Sequence, residues 1–101
     1  MEYEESLRKY ERSNLEDKEA LSNILAALPG GKNIDSIELH TEKKPSGVRL
    51  HGTDELTAKE IESISEQLLK LVKDCEWVEI NSSQFHAKTT KDGLQEFSVL
   101  N

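Results

Sequence analysis

The apolar residues of this chain change twice from helical spacing to strict alternation, which limits the folds it can adopt. A first stripe at i, i+3, i+4 and i+7 ends at Pro29-Gly30-Gly31, and alternating residues follow. A second stripe begins near Thr57 and again leads to alternating segments. This order predicts an α+β domain of helix, β-hairpin, helix and β-hairpin. We expect one antiparallel sheet with both helices packed on one face.

The chain ahead of the first stripe is polar. Ser13 or Asn14 is predicted to cap the first helix, since acidic residues follow in its first turn. After Met1, residues 1–13 carry Tyr3, Leu7 and Tyr10 as their larger apolar groups. They are predicted to form an acidic, disordered tail or linker, with a helical extension as the alternative. The folded domain then spans residues 14–101.

The second helix carries its own start signal, because Thr57 and Glu60 have the spacing of a capping box. Cys75 continues the apolar stripe, and this predicts a buried thiol without a catalytic role. In the strand after it, Val78 and Ile80 are predicted to point inward. Trp77 then points outward or lies over a helix end.

The two hairpins have predictable registers. A turn about Lys44-Pro45 predicts these opposite pairs: Leu39 and Leu50, Thr41 and Val48, His40 and Arg49, Glu38 and His51. A second turn at Lys91-Asp92-Gly93, with Gly93 at positive φ, sets Phe85 opposite Val99 and Ala87 opposite Phe97. The predicted core comprises Leu21, Ile24, Leu25, Leu28, Ile37, Leu39, Val48, Leu50, Ile61, Ile64, Leu68, Leu71, Val78, Ile80, Phe85, Phe97 and Val99.

Charge limits the partners. The net charge of −7 argues against binding to a nucleic-acid backbone, whose phosphates it would repel. No stretch approaches the roughly 20 apolar residues of a membrane span, so direct membrane insertion is not expected. A single cysteine rules out an intrachain disulfide. We expect a monomer.

No catalytic, cofactor or metal site is predicted, because no known catalytic or phosphate-binding motif is present. His40 and His51 fall on the polar side of the first hairpin, where only Glu38 could join them as a metal ligand. Polar residues instead collect on the sheet face opposite the helices. This uncovered face is either plain solvated surface or a docking site for a protein or peptide, formed by Glu38, His40, Arg49, His51, His86 and Lys88.

The middle of the chain resembles an uncharacterised family of Gram-positive extracytoplasmic domains attached to lipoprotein signals or single membrane anchors. The resemblance covers Leu21 to Asn81. It rests on the helix ending in Leu28-Pro29, the strand at Ile37, the turn at Pro45-Ser46-Gly47 and the later strand at Val78. An aromatic residue that the family carries after the second strand is replaced here by His51-Gly52.

The resemblance implies a non-catalytic domain held outside the cytoplasm by an anchor that precedes Met1. The alternative is a cytosolic acidic binding protein, such as an immunity-type inhibitor or a small regulator encoded by a phage or an operon. The absence of an export signal after Met1 favours that alternative.

Overall fold

A computed structural model describes residues 2–100, with side chains from Glu5 to Leu100. What the sequence predicts for Met1, the side chain of Tyr3 and Asn101 lies outside the described residues. The elements in chain order are α1 (Glu2–Leu7), β1 (Ser13–Asn14), α2 (Lys18–Ala27), β2 (Ile34–His40), β3 (Gly47–Gly52), α3 (Ala58–Leu71), β4 (Val72–Lys73), β5 (Trp77–Asn81), β6 (Phe85–Thr90) and β7 (Gly93–Val99). Single 3₁₀ turns occupy Arg8–Tyr10 and Gly31–Asn33.

Helices and strands combine in a mixed fold. Five strands form one sheet in the order β2-β3-β5-β6-β7, and β1 pairs with β4 in a small parallel sheet. Within the large sheet, β3 and β5 run parallel, so the predicted wholly antiparallel sheet is wrong at this junction. The cause is α3, whose 14 residues return the chain along the sheet. This helix spans about 21 Å at the usual rise per residue, so β5 starts at the same end as β3.

The two longer helices begin differently. The capping box of α3 is confirmed: Glu60 N donates to Thr57 Oγ1 at 3.2 Å, and Thr57 N donates to Glu60 Oε1 at 2.9 Å. The predicted cap of α2 is wrong. Asp17 caps this helix by accepting from Ala20 N at 3.0 Å. Asn14 is unavailable because it belongs to β1, where its side chain accepts from Glu16 N.

The N-terminal segment differs from the predicted disordered tail. Its backbone is helical in α1, and Leu7 is only 1% exposed. Leu15 is buried as well, and β1 pairs with β4 just after α3. Tyr10 packs on the same core from the side. Leu7, Tyr10 and Leu15 are therefore enough to pack this segment against the core, because α2 and α3 leave an apolar surface that these three residues cover.

The first hairpin is shifted by two residues from its predicted register. Leu39 lies opposite Val48, Ile37 opposite Leu50, and Glu38 opposite Arg49; His40 faces Gly47, and His51 faces Ser36. The prediction placed Gly47 in the turn, whereas it is the first residue of β3. Gly47 is buried under Trp77: a Cβ at this position would lie 2.2 Å from Trp77 Cδ2. Packing against a strand that is distant in sequence thus sets the register.

The core unites all three helices with one face of the sheet. Thirteen of the predicted core residues are buried, and Cys75 is buried as predicted, although it follows the helix. Ile37 and Leu39 pack at the margin. Phe97 and Val99 are wrong as core residues, since they are 48% and 65% exposed. Their predicted pairing with Ala87 and Phe85 is confirmed, but α3 contacts β5 and β6 and leaves β7 uncovered.

Candidate functional site

The six residues predicted for the uncovered face lie together on the side of the sheet away from the core. We call this surface the polar face; its side chains come from Glu38, His40, Arg49, His51, Trp77, Glu79, Asn81, His86, Lys88 and Glu96. Many of these side chains are partly open to solvent: 49% of Glu38 and 48% of His51 are exposed. The structure thus brings the predicted residues together.

One row of residues crosses all five strands with alternating charge. Successive strand pairs place these side chains side by side, in the order Glu38, Arg49, Glu79, Lys88 and Glu96. Opposite charges on neighbouring strands stabilise a sheet, whereas like charges would repel. A second row runs beside it in the order Ser36, His51, Asn81, His86 and Ser98. Both rows depend on the parallel contact of β3 with β5.

Glu38 is the centre of the β2–β3 half of the face. Its Oε2 lies 3.4 Å from Arg49 Nη1, 3.5 Å from His51 Nε2 and 3.6 Å from His40 Nε2. Partial desolvation acts to raise the pKa of Glu38, but His51 and the charges of Arg49 and His40 outweigh it and lower that pKa. These neighbours therefore favour the ionised form of Glu38.

Glu79 is the centre of the other half, and it is the most buried charged group of the face. Its side chain is 11% exposed, and Oε2 accepts hydrogen bonds from Arg49 Nε and from Asn81 Nδ2. His86 Nε2 lies 4.0 Å from Glu79 and 3.6 Å from Glu96. Burial acts to raise the pKa of Glu79, but the bond from Arg49 outweighs it and lowers that pKa. Arg49 thus holds a buried charge in place.

Trp77 lies at one end of the polar face, over Gly47. Its Nε1 donates to the carbonyl oxygen of Pro45 at 2.8 Å. The ring is flanked by His40, at 5.4 Å between ring centroids, and by Lys88, whose Nζ lies 5.4 Å from the ring centroid. Trp77 points outward, as one of its two predicted positions required. An indole between two basic groups gives this end of the face a flat apolar surface with positive charge.

Sequence reasoning missed four members of the face: Trp77, Glu79, Asn81 and Glu96. The signal for the first three was present, because they alternate with the inward residues Val78 and Ile80. What the sequence did not reveal was that β5 adjoins β3, which brings Glu79 to Arg49. The sequence predicts a single uncovered face, but it does not show that Glu79 pairs with Arg49 at the centre of that face.

The geometry of Glu38, His40 and His51 raises the question of a metal site. Both imidazole Nε2 atoms face the same carboxylate oxygen, but the Arg49 guanidinium faces it too. A fixed positive charge at the ligand oxygen opposes binding of a second cation. Within residues 2–100, no group of three or more His, Cys, Asp or Glu residues is arranged to hold a metal ion. Charge pairing thus explains the cluster.

No family model, no curated protein and no solved structure matches the chain. The resemblance of Leu21 to Asn81 to a Gram-positive extracytoplasmic family therefore stays a prediction. Among the helices that the structure describes, none is long and apolar enough to cross a membrane.

Proposed function

We propose that this domain is a non-catalytic protein-binding module that takes an acidic protein segment on its polar face. The observation that carries the proposal is the convergence of three histidines, an arginine and a lysine on one open sheet surface, in a chain of net charge −7. On this face the cations are spread over neighbouring strands. An extended acidic segment could contact several of them at once.

The charge of the polar face depends on pH. With neutral histidines, the carboxylates of Glu38, Glu79 and Glu96 outnumber the cations of Arg49 and Lys88. Histidine is the side chain that gains charge between about pH 8 and 5. Protonation of all three imidazoles turns an excess of one negative charge into an excess of two positive charges. Binding of an acidic segment should therefore strengthen as pH falls.

Lys88 and Trp77 are the best candidates for direct contact with a ligand. The Lys88 ammonium lies over the indole, so a carboxylate that approaches it also meets the flat ring. Arg49 has a different role: it pairs with the buried carboxylate of Glu79. Reversing the charge of Arg49 would leave two carboxylates facing a third, so this substitution tests folding more than binding.

The test is a titration with an Asp- and Glu-rich peptide, followed by backbone amide NMR shifts. We expect the shifts to concentrate on β2, β3, β5 and β6, and the affinity to rise between about pH 7.5 and pH 5.5. Lys88→Gln removes the charge without adding a carboxylate between Glu79 and Glu96, and it should weaken binding about tenfold. Lys59→Gln makes the same charge change on an exposed position of α3 and should leave the affinity unchanged. Equal losses in both variants, or shifts confined to the helices, would contradict the proposal.

The proposed cellular setting is the outer side of a bacterial membrane, with the domain held by an anchor. The resemblance of Leu21 to Asn81 supports this setting, and a face whose charge follows pH suits a compartment whose pH varies. The native gene upstream of Met1 tests it. A lipoprotein signal or a membrane anchor in the same reading frame is expected. A natural start at Met1 would favour the cytosolic alternative.

A further inference from the structure

The large apolar side chains that are exposed among residues 5–100 all belong to one end of the chain. They are Leu94, Phe97, Val99 and Leu100, with exposed fractions of 59%, 48%, 65% and 48%. Leu94, Phe97 and Val99 lie opposite Thr89, Ala87 and Phe85. Since Phe85 and Ala87 are buried, these three exposed side chains project from the core side of the sheet. The core surface thus continues onto β7 without a cover.

A groove separates β7 from α3. Its volume is about 660 Å³, and its apolar lining comes from Ala58, Ile61 and Leu69 on the helix and from Leu94 and Phe97 on the strand. The Phe97 ring stacks on Phe85, with 6.4 Å between centroids and 3° between planes. One side of Phe97 is therefore packed, and the groove side is open.

The outer edge of β7 carries one bulge, at Gln95, and is otherwise unprotected. Edge strands commonly carry Lys, Pro or a bulge that prevents pairing with another strand. In β7, the only charged residue is Glu96, and neither Lys nor Pro occurs. A register shift sets Gln95 apart as a bulge, since Leu94 faces Thr89 and Glu96 faces Lys88. The run from Glu96 to Val99 is left regular and able to pair.

We propose that a second copy of this chain covers the groove, by antiparallel pairing of β7 with β7 about a two-fold axis perpendicular to the sheet. This axis keeps the core sides of both sheets on the same side. Phe97 and Val99 of each copy then meet those of the other between the two α3 helices. The result is a continuous ten-stranded sheet with a shared apolar strip.

The charges around the groove fit a self-complementary contact. The lining of the groove includes two acidic residues, Glu62 and Glu66, and two basic residues, Lys70 and Lys91. An isologous interface brings the same patch of two copies together, so it needs both signs of charge within that patch. The rim is balanced although the chain as a whole carries −7. Because the rim has no net charge, it would not attract a strongly basic or a strongly acidic partner.

Charge and side-chain pairing together favour one register of the paired strands. An axis at Glu96 would set two carboxylates directly opposite each other, which is unfavourable. An axis at Ser98 sets Phe97 opposite Val99 of the second copy, a favourable pair of aromatic and β-branched side chains. Ser98 then lies opposite Ser98 of the second copy, on the polar side, since Ser98 pairs with His86.

The first arm of the test measures mass by sedimentation equilibrium between about 1 µM and 1 mM protein, because self-association depends on concentration. A monomer–dimer equilibrium is expected. Phe97→Glu should weaken self-association about 30-fold or more. Asn23→Glu adds the same carboxylate to an exposed position of α2 and should change nothing. A wild-type protein that stays monomeric over this range overturns the proposal.

The second arm tests the register through a disulfide and does not depend on the folding of Phe97→Glu. Across the proposed axis, the two Cα atoms of position 98 lie at a distance that a disulfide can bridge, so Ser98→Cys places two thiols next to each other. This variant should form a covalent dimer on mild oxidation. Glu96→Cys, on the same strand and side, should not. Cys75 does not compete, because it is fully buried and burial raises its pKa to about 11. Failure of Ser98→Cys to cross-link, whether or not Glu96→Cys does so, overturns the proposal.

Salt separates this interface from the proposed function. The dimer is held by apolar contacts and by backbone hydrogen bonds between copies of like net charge. Raising NaCl from about 0.05 M to 0.5 M screens their repulsion, so the dimer should be retained or strengthened; a loss of dimer overturns the proposal. Because peptide binding uses the polar face, the failure of either idea leaves the other standing.

Discussion

Arg49 and Glu79 form an ion pair across the parallel junction of β3 and β5, although they are thirty residues apart in the chain. The pair joins the β2–β3 hairpin to the three strands that follow α3. Glu79 is 11% exposed and Arg49 is 35% exposed, so the carboxylate is the group that depends on its partner. The polar face is a single surface because of this contact.

Replacing Glu79 by Gln tests the energetic value of the pair. The pKa of Glu79 is lowered in the folded chain. Its carboxylate therefore stabilises the fold above the ordinary pKa of 4.5, and this contribution is lost as pH falls through the folded value. We expect Glu79→Gln to lower the free energy of unfolding by about 1–2 kcal/mol near pH 7. The difference should vanish in acid.

Urea unfolding near pH 7 and near pH 3 measures this difference. Glu96→Gln is the control, since Glu96 is 58% exposed and its replacement should change stability by less than about 0.5 kcal/mol. A loss for Glu79→Gln that is equal at both pH values would show that packing, and not the charge, is responsible.

Truncating Leu7 tests the N-terminal segment. Because Leu7 is 1% exposed within the core, Leu7→Ala should destabilise the domain by about 2–3 kcal/mol. Glu5→Ala removes an exposed neighbour and should have little effect. Thermal unfolding of the two variants checks this, and equal stabilities would mean that the segment is a detached tail.

Adding a methyl group at Gly47 tests the contact with Trp77. The new Cβ would lie within 2.5 Å of both the ring and the carbonyl oxygen of Trp77, so β3 and β5 must separate. We expect Gly47→Ala to cost about 1–3 kcal/mol and to shift the fluorescence of the single tryptophan. Ser36→Ala, at an exposed position of β2, is the control. An unchanged emission spectrum in Gly47→Ala would contradict the contact.

Local signals predicted a good part of the fold. The capping box at Thr57, the turn at Gly93 and the pairing of Phe85 with Val99 each depend on residues within one element or one hairpin. The sequence failed where distant segments meet. From the sequence alone, Gly47 is predicted to be a turn residue, whereas in the structure Trp77 packs on it. The sequence likewise predicts only antiparallel neighbours for β3, whereas α3 returns the chain so that β5 runs parallel beside it.

The same distinction applies to the polar face and to β7. Alternation alone places Arg49, His51 and His86 on one side of the sheet, whereas the contact between Arg49 and Glu79 requires the strand order. Phe97 occupies an inward position in the alternation of β7, as a core residue should. This alternation does not indicate how far α3 extends over the sheet. The exposure of β7 thus depends on which strands α3 covers, and the alternation within a strand cannot predict this.

The central claim is that the polar face binds an acidic protein segment. Site-specific photo-crosslinking in extract of the native cell tests it most directly, with the photoreactive residue at His51 and, as the matched position, at Asn23 on α2. We expect cross-links from position 51 to an acidic segment of a protein, with a yield that rises between about pH 7.5 and pH 5.5. Cross-links of equal yield from position 23 would contradict the claim. So would a yield from position 51 that decreases as the pH is lowered.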